Sequence, residues 1–310
     1  MSSPTSPQDE DLSTGSLVEW VVPLAFVGTS AWLVWHFPAF ILEFYPPKGQ
    51  SQFEQLAALY KRRDVTPDMA PLFGQFADAI DWIAAILAPI LFAIGVLTVK
   101  RARMEFADWR PIDRLSVFWG RITMMLIVLL VSVMLYEVFV RYVLEAPTLW
   151  ANELSLWLAG FVFLGAGLYA MQQRSHIRIF LLYDVCPRWL QRTFDTISTL
   201  LIVLFAFFLV YGGYGEALDK LWRWETFGTA FDPPIPATIK PIVLVIVCLV
   251  AAQAVINLIS DWNAVPVVHT AADDIDEDEL EKLRASVGDE GVGDIDVTRG
   301  SIQGNQSERK

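Results

Sequence analysis

Six long apolar blocks run through this chain and restrict it to one kind of fold. Each block is long enough to cross a hydrocarbon core of about 30 Å as an α-helix. A water-soluble core cannot hide so many blocks of this length, whereas a bilayer covers them. The sequence therefore predicts an all-α integral membrane protein, a helical bundle of about six transmembrane helices. The blocks cover residues 17–41, 76–99, 117–142, 150–171, 197–214 and 242–259.

The positive charges beside these blocks predict how the chain is oriented. Lys and Arg residues are dense in two short connectors, at residues 100–114 and 174–192. The positive-inside rule gives most weight to short connectors at the ends of spans. We therefore expect these connectors, and both termini, to lie in the cytoplasm.

The net charge of −12 comes mainly from the C-terminal tail. Residues 263–310 are rich in Asp and Glu, and we expect an acidic, disordered cytoplasmic tail. Residues 1–16 hold no Lys or Arg, so we expect a short disordered leader rather than a signal peptide. The chain has no basic stripe of the kind that would indicate binding to nucleic acid.

The sequence offers little catalytic chemistry. A membrane cytochrome needs axial ligands inside its helices, but of the three histidines, His36, His176 and His269, only His36 falls in an apolar block. We find no phosphate-binding loop, nucleophile motif or zinc signature. We therefore expect no catalytic residue, no cofactor and no metal site, and we do not expect an enzyme. The interiors of the last two blocks also hold no Asp, Glu, Lys, Arg or His, unlike a typical transporter core.

Several ionisable residues lie within a turn or two of a block end, and they leave two interpretations open. They are Glu137, Arg141, Glu153, Glu216 and Lys240. In one interpretation their charged ends extend to the membrane–water interface or pair with a nearby residue of the same chain. In the other, Arg141 and Glu153, on either side of the turn at residues 145–150, lock this hairpin or pair with a partner helix.

Two groups of glycines permit close helix packing, either within the chain or against another chain. The first group is Gly160, Gly165 and Gly167, and the second is Gly212, Gly213 and Gly215.

An ordered set of residues in the second half of the chain resembles a known family. Arg141 and a tyrosine end one block, Trp150 and Glu153 open the next, Gly165 lies within it, and His176 and an isoleucine follow. Trp224-Glu225 and Asp232-Pro233-Pro234 precede the last block. This order is similar to the small membrane subunit, the DctQ-type small permease, of tripartite ATP-independent periplasmic (TRAP) transporters. The resemblance covers residues 111–262.

The resemblance implies a four-span domain at residues 111–262, with residues 17–110 as an N-terminal two-helix extension. It implies two protein partners: a periplasmic substrate-binding protein, and a large permease subunit that moves an organic acid by symport with an ion. The small subunit would enlarge the static scaffold, among membrane lipids, in a bacterial inner membrane. Positions expected to serve structure or the partner interface are Arg141, Trp150, Glu153, Gly165 and His176.

The connector before the last block is the expected docking site for the binding protein. The resemblance implies that residues 216–240 face the periplasm, where Trp222, Arg223, Trp224 and Asp232 are candidates for docking. Two other functions stay open at this point. A membrane anchor of a redox complex would carry haem or quinone, and a stand-alone channel or transporter would support uptake by itself.

Overall fold

The structure is a computed structural model that describes residues 17–62, 76–100, 102, 110–174 and 186–263. Seven α-helices, and no strand, occur in these residues. Six of the helices, all except α2, are long and apolar enough to cross a membrane, which confirms the predicted fold class. The helices are α1 (Leu17–Phe44), α2 (Gln50–Arg62), α3 (Ala79–Thr98), α4 (Asp113–Val143), α5 (Ala151–Gln172), α6 (Arg188–Trp222) and α7 (Ile235–Asp261).

Contacts divide the chain into two units. The first comprises residues 1–177 and 193–262, and the second comprises residues 178–192 and 263–310. Within the described part of the second unit, Leu190 N and Gln191 N donate to Pro187 O, which forms the first turn of α6. Helices α1–α5 and α7, and residues 193–222 of α6, belong to the first unit. The predicted leader and nearly all of the predicted acidic tail lie outside the described residues.

Helices α4 and α5 form a hairpin whose close approach depends on glycine. A Cβ at Gly165 of α5 would stand 2.2 Å from Thr123 Oγ1 and 2.8 Å from Trp119 Nε1, both on α4. A Cβ at Gly120 of α4 would stand 2.4 Å from the ring of Tyr169 on α5. Because these distances are shorter than van der Waals contact, the two helices can meet here only where a side chain is missing.

The N-terminal helices α1 and α3 pack against α4 through aromatic rings. The rings of Phe26, Phe92 and Phe118, one from each of these helices, have centroids 5.5–6.2 Å apart. Gly95 of α3 leaves the space that the ring of Phe118 occupies, since a Cβ there would stand 2.1 Å from the ring. The extension is therefore packed into the same unit as the later helices.

Helix α5 is joined to the N-terminal part of α7. Trp157 Nε1 of α5 donates to Thr238 Oγ1 of α7 at 2.8 Å, and both residues are buried. A Cβ at Gly160 would stand 2.9 Å from Ile239 Cδ1. In contrast, α6 makes the fewest contacts with the other described helices.

Six spans in alternating directions place four described segments at one end of the bundle. These segments, residues 45–62, 76–78, 144–150 and 223–234, are named the connector face. The turns at residues 99–100, 110–112 and 173–174 lie at the other end, named the opposite face. Helix α2, expected from the sequence only as a polar, amphipathic connector, lies on the connector face.

Candidate interface site on the connector face

A buried carboxylate closes the α4–α5 hairpin. Glu137, only 4% exposed, accepts a hydrogen bond from Arg141 Nε at 3.0 Å and another from Arg141 Nη2. Its other oxygen accepts from the backbone N of Thr148 at 3.2 Å and from the Thr148 hydroxyl. Burial of a charged group is costly unless hydrogen-bond donors or acceptors compensate it. Here Arg141 and Thr148, the latter in the turn, supply the donors.

Arg141 therefore pairs with Glu137 on its own helix, whereas Glu153 bonds to the loop between α6 and α7. Glu153, in the first turn of α5, accepts from Thr229 Oγ1 at 2.5 Å and from Asp232 N at 3.1 Å. These contacts fasten the loop between α6 and α7, named the 223–234 loop, to α5. The contact of Arg141 is thus the local pairing of the first interpretation, and it is Glu137, not Glu153, that bonds to the turn of the hairpin.

The 223–234 loop is held by its own hydrogen bonds as well. Asp232 Oδ1 accepts from Gly228 N at 2.7 Å, and Phe227 N donates to Pro233 O at 3.0 Å. Trp224 and Asp232 both adopt a positive φ, of 47° and 58°. Such a backbone conformation costs a non-glycine residue about 1–3 kcal/mol and persists only where the surroundings hold it in place.

Trp224 lies in the core of the unit rather than on its surface. Its side chain is 2% exposed and belongs to a cluster with Ile41 and Leu42 of α1 and Leu56 and Leu59 of α2. Its ring stacks on Phe37 of α1 at 5.0 Å. Trp224, expected as a docking candidate, is therefore covered by the N-terminal extension. It can hold the 223–234 loop in place, but it is too buried to contact a docked protein directly.

The other three docking candidates differ in exposure. Arg223 is more than half exposed and pairs with Asp219 one turn earlier, Nε to Oδ1 at 3.0 Å. Trp222 is 37% exposed, and its ring lies 4.8 Å from that of Tyr45. Asp232 is 8% exposed. The docking role itself stays a prediction, with Arg223 and Trp222 as its accessible residues.

A cleft of about 400 Å³ opens beside Trp224 on the connector face. The residues that line it are Gln55, Ala58 and Leu59 of α2 and Arg223, Trp224, Glu225, Thr226 and Asp232 of the 223–234 loop. Glu225 pairs with Lys220, and Arg223 with Asp219, so both of these charges already have partners within the chain.

The remaining structural candidates from sequence lie around the hairpin. Trp150 is half-buried at the beginning of α5, with its ring stacked 5.7 Å from that of Tyr136. Gly165 provides the close contact with α4 described above. His176 lies outside the described residues. Their interface role therefore stays a prediction.

Sequence reasoning missed a buried polar network near the opposite face. Gln253 Nε2 of α7 donates to Asp113 Oδ1 at 2.8 Å, and Ser116 Oγ donates to Gln253 Oε1 at 3.2 Å. Asn257 Nδ2 donates to Met171 O at 2.7 Å. These bonds tie α4, α5 and α7 together. No local pattern indicates them, because the partners lie 86 to 140 residues apart.

A second missed cluster joins α1 to α3. Asp81 is fully buried, accepts from Trp32 Nε1 at 2.9 Å, and forms a capping box with Asp78 at the beginning of α3. His36 Nδ1 lies 2.8 Å from the same Asp81 oxygen, although outside hydrogen-bond alignment. The ring of His36 stacks on Trp32 at 4.2 Å. The D-x-x-D spacing at residues 78–81 was the available signal for the capping box.

The described residues contain no group of three His, Cys, Asp or Glu side chains placed to hold a metal ion. The contacts found on the connector face are hydrogen bonds and ion pairs that position a loop. Such bonds hold the 223–234 loop in one conformation against α5, as a surface that binds another protein without rearranging would require.

Comparison with known proteins gives one match. Residues 130–262 match the family model described as "Tripartite ATP-independent periplasmic transporters, DctQ component". This range holds the second half of α4 and all of α5, α6 and α7, and it confirms the resemblance noted from sequence. No curated protein and no solved structure matches the chain.

Proposed function

The chain carries a DctQ-family region at residues 130–262, and from this premise we propose that it is a static scaffold subunit of a TRAP transporter. In this role it binds a large permease that carries out ion-gradient-driven symport of an organic acid. A periplasmic binding protein delivers the substrate. The family match is the observation that carries the proposal.

The distribution of polar groups supports a scaffold role. The described polar networks lie near the two ends of the bundle, where they connect helices of this chain to each other. The apolar blocks at residues 197–214 and 242–259 hold no Asp, Glu, Lys, Arg or His. Since substrate and ion sites of transporters use such groups near the bilayer midplane, these sites are assigned to the partner.

We propose α6 as the helix that contacts the large permease. Its apolar side chains are widely exposed, among them Phe208 at 64% and Tyr211 at 79%. A Cβ at Gly212 or Gly215 would meet no atom of this chain within 4 Å. Lipid covers any apolar helix surface equally well, but a partner helix in close contact depends on the glycines.

We further propose that the connector face is periplasmic, in a bacterial inner membrane, with both termini in the cytoplasm. The dense Lys and Arg residues near the opposite face support this orientation. A Gln52→Cys variant, made with Cys186→Ser and Cys248→Ser so that no native thiol remains, would place a thiol on exposed α2. We expect a membrane-impermeant maleimide to label it from the periplasmic side, with no further labelling after lysis. Labelling only after lysis would reverse the orientation.

Copurification tests the function directly. The tagged chain, extracted from its native membrane in mild detergent, is expected to retain a large multispan permease in near-stoichiometric amount. The purified pair, in liposomes with the binding protein and a sodium gradient, is expected to take up an organic acid, and each part alone is not. Recovery of the chain alone, or with a cytochrome or dehydrogenase and a haem absorbance, would contradict the proposal.

A further inference from the structure

The end of α3 on the opposite face is contacted by cations of the next helix. Arg114 Nη1 of α4 donates to Leu97 O at 3.0 Å, and Arg121 Nη2 donates to Lys100 O at 3.3 Å. Lys100 itself follows α3 and is exposed. The last carbonyls of a helix carry partial negative charge and attract such donors. Three basic residues therefore meet where α3 ends.

Bonds to these carbonyls do not neutralise the cations, because a carbonyl carries no net charge. A guanidinium has five N–H donors, and Arg114 uses one of them in the described contacts. No described carboxylate lies within 4 Å of Lys100 or Arg114. Arg121 differs, since it lines a small cavity together with Glu19. The charges left uncompensated among the described residues here are thus those of Lys100 and Arg114.

Helix α3 is just long enough to cross the hydrocarbon core of a membrane. Its 20 residues span about 30 Å, which is the thickness of that core. Lys100 lies two residues beyond the end of α3, and Arg114 contacts its last turn, so both lie at the level of the lipid headgroups. Within α3, the side chains of Leu97 and Ile94 are 70% and 41% exposed. In a membrane, acyl chains cover such side chains, so this end of α3 borders both parts of a phospholipid.

We propose that Lys100 and Arg114 bind the headgroup of an anionic phospholipid whose acyl chains lie along α3. A phosphate accepts charge-assisted hydrogen bonds from both kinds of side chain, and basic groups directly beside membrane spans recruit anionic lipids. The two residues precede the family match, which begins at residue 130. The site therefore belongs to the part of the chain that the family does not describe, and it does not depend on the proposed function.

Native mass spectrometry of the full chain in detergent counts bound lipids directly. Phosphatidylglycerol is titrated beside phosphatidylcholine, which has the same phosphate and acyl chains but no net charge, and we expect saturable binding of phosphatidylglycerol alone. Lys100→Gln combined with Arg114→Gln is expected to raise its dissociation constant about tenfold or more, because each cation beside the membrane contributes to the attraction. Lys48→Gln combined with Lys61→Gln removes two exposed cations from the connector face instead, and it should bind as wild type.

A single variant, Lys100→Gln, guards against a folding defect of the double variant. Arg114 also bonds to Leu97 O, so its loss can loosen the end of α3, whereas the side chain of Lys100 makes no described hydrogen bond or ion pair. We expect Lys100→Gln to weaken phosphatidylglycerol binding while the heating profile of the lipid-free chain stays that of wild type. The soluble headgroup glycerophosphoglycerol is added as a competitor and should not displace the lipid, because it lacks the acyl chains that cover α3.

Three results would overturn the lipid site. Equal binding of phosphatidylcholine would show that the surface selects acyl chains and not charge. Wild-type binding of phosphatidylglycerol by Lys100→Gln would remove the cation from the site. Displacement by glycerophosphoglycerol would assign the cations to a free phosphate. None of these results bears on retention of a permease, so the lipid site and the proposed function fail separately.

Discussion

Helices α5 and α6 follow each other in the chain, yet they meet their surroundings in opposite ways. In the most apolar 18-residue window of α5, 22% of the residues are buried, against 6% for α6. Glycines Gly160 and Gly165 of α5 face side chains of this chain at distances that exclude a Cβ. Gly212 and Gly215 of α6 face open space. Glycine thus permits internal packing at Gly160 and Gly165, whereas at Gly212 and Gly215 it borders open space.

The largest expected effect is on α5. Gly165→Leu places a side chain where Thr123 and Trp119 already stand, so α4 and α5 must separate. Overpacking of this kind costs about 1–3 kcal/mol. We expect the variant to aggregate at a clearly lower temperature than wild type, measured by size-exclusion chromatography of heated, detergent-solubilised protein. A wild-type profile would show that the hairpin does not depend on this contact.

The same change in α6 is expected to act on the partner alone. A Cβ at Gly212 meets no atom of this chain within 4 Å, so we expect the Gly212→Leu chain, heated by itself, to behave as wild type. Copurification of the large permease should fall severalfold, because the side chain prevents close approach of its helix. Gly167→Leu, which also meets open space but lies on α5, is the matched control and should retain the permease. Equal retention by both variants would assign the surface of α6 to lipid.

Sequence reasoning located these helices well, but not their partners. Hydropathy indicates which segments cross a bilayer. In hydrocarbon a helix pairs its backbone polar groups internally, so the apolar character of its side chains decides whether it can span. It does not decide which glycine faces a neighbour, since Gly165 and Gly212 have similarly apolar flanking residues. The difference between α5 and α6 depends on tertiary contacts that a single sequence does not display.

The connector face shows the same limit. The spacing of Glu137 and Arg141, four residues apart on a helix, allows their pairing to be read locally. The bond from Asp232 to Glu153 joins residues that are 79 apart, and no local spacing indicates it. Trp224 was expected at a docking surface because the resemblance places residues 216–240 on the periplasmic side, but α2 covers it. Predicting its burial would have required placing the extension against the matched region.

A smaller effect is expected where α5 meets α7. Trp157→Phe keeps the apolar contact but removes the hydrogen bond to Thr238 Oγ1. Thr238 still donates to Pro234 O at 2.7 Å, so no buried hydroxyl loses all its partners. The net loss of one such bond is about 0.5–1.5 kcal/mol. The heating profile should shift less than that of Gly165→Leu, and permease retention should be unchanged. A larger shift than that of Gly165→Leu would reverse the order of importance.

The smallest effect is expected at the one ion pair that joins α6 to α7 among the described residues. Lys240 Nζ pairs with Glu216 near the connector face, where the two side chains are 43% and 62% exposed. Exposed pairs contribute little to stability because water and salt screen them. Lys240→Gln should therefore leave the heating profile of the isolated chain unchanged, with Trp157→Phe measured in parallel as the positive control. If the two variants lost similar stability, α6 would be held by this chain after all, and its open glycines would no longer distinguish it from α5.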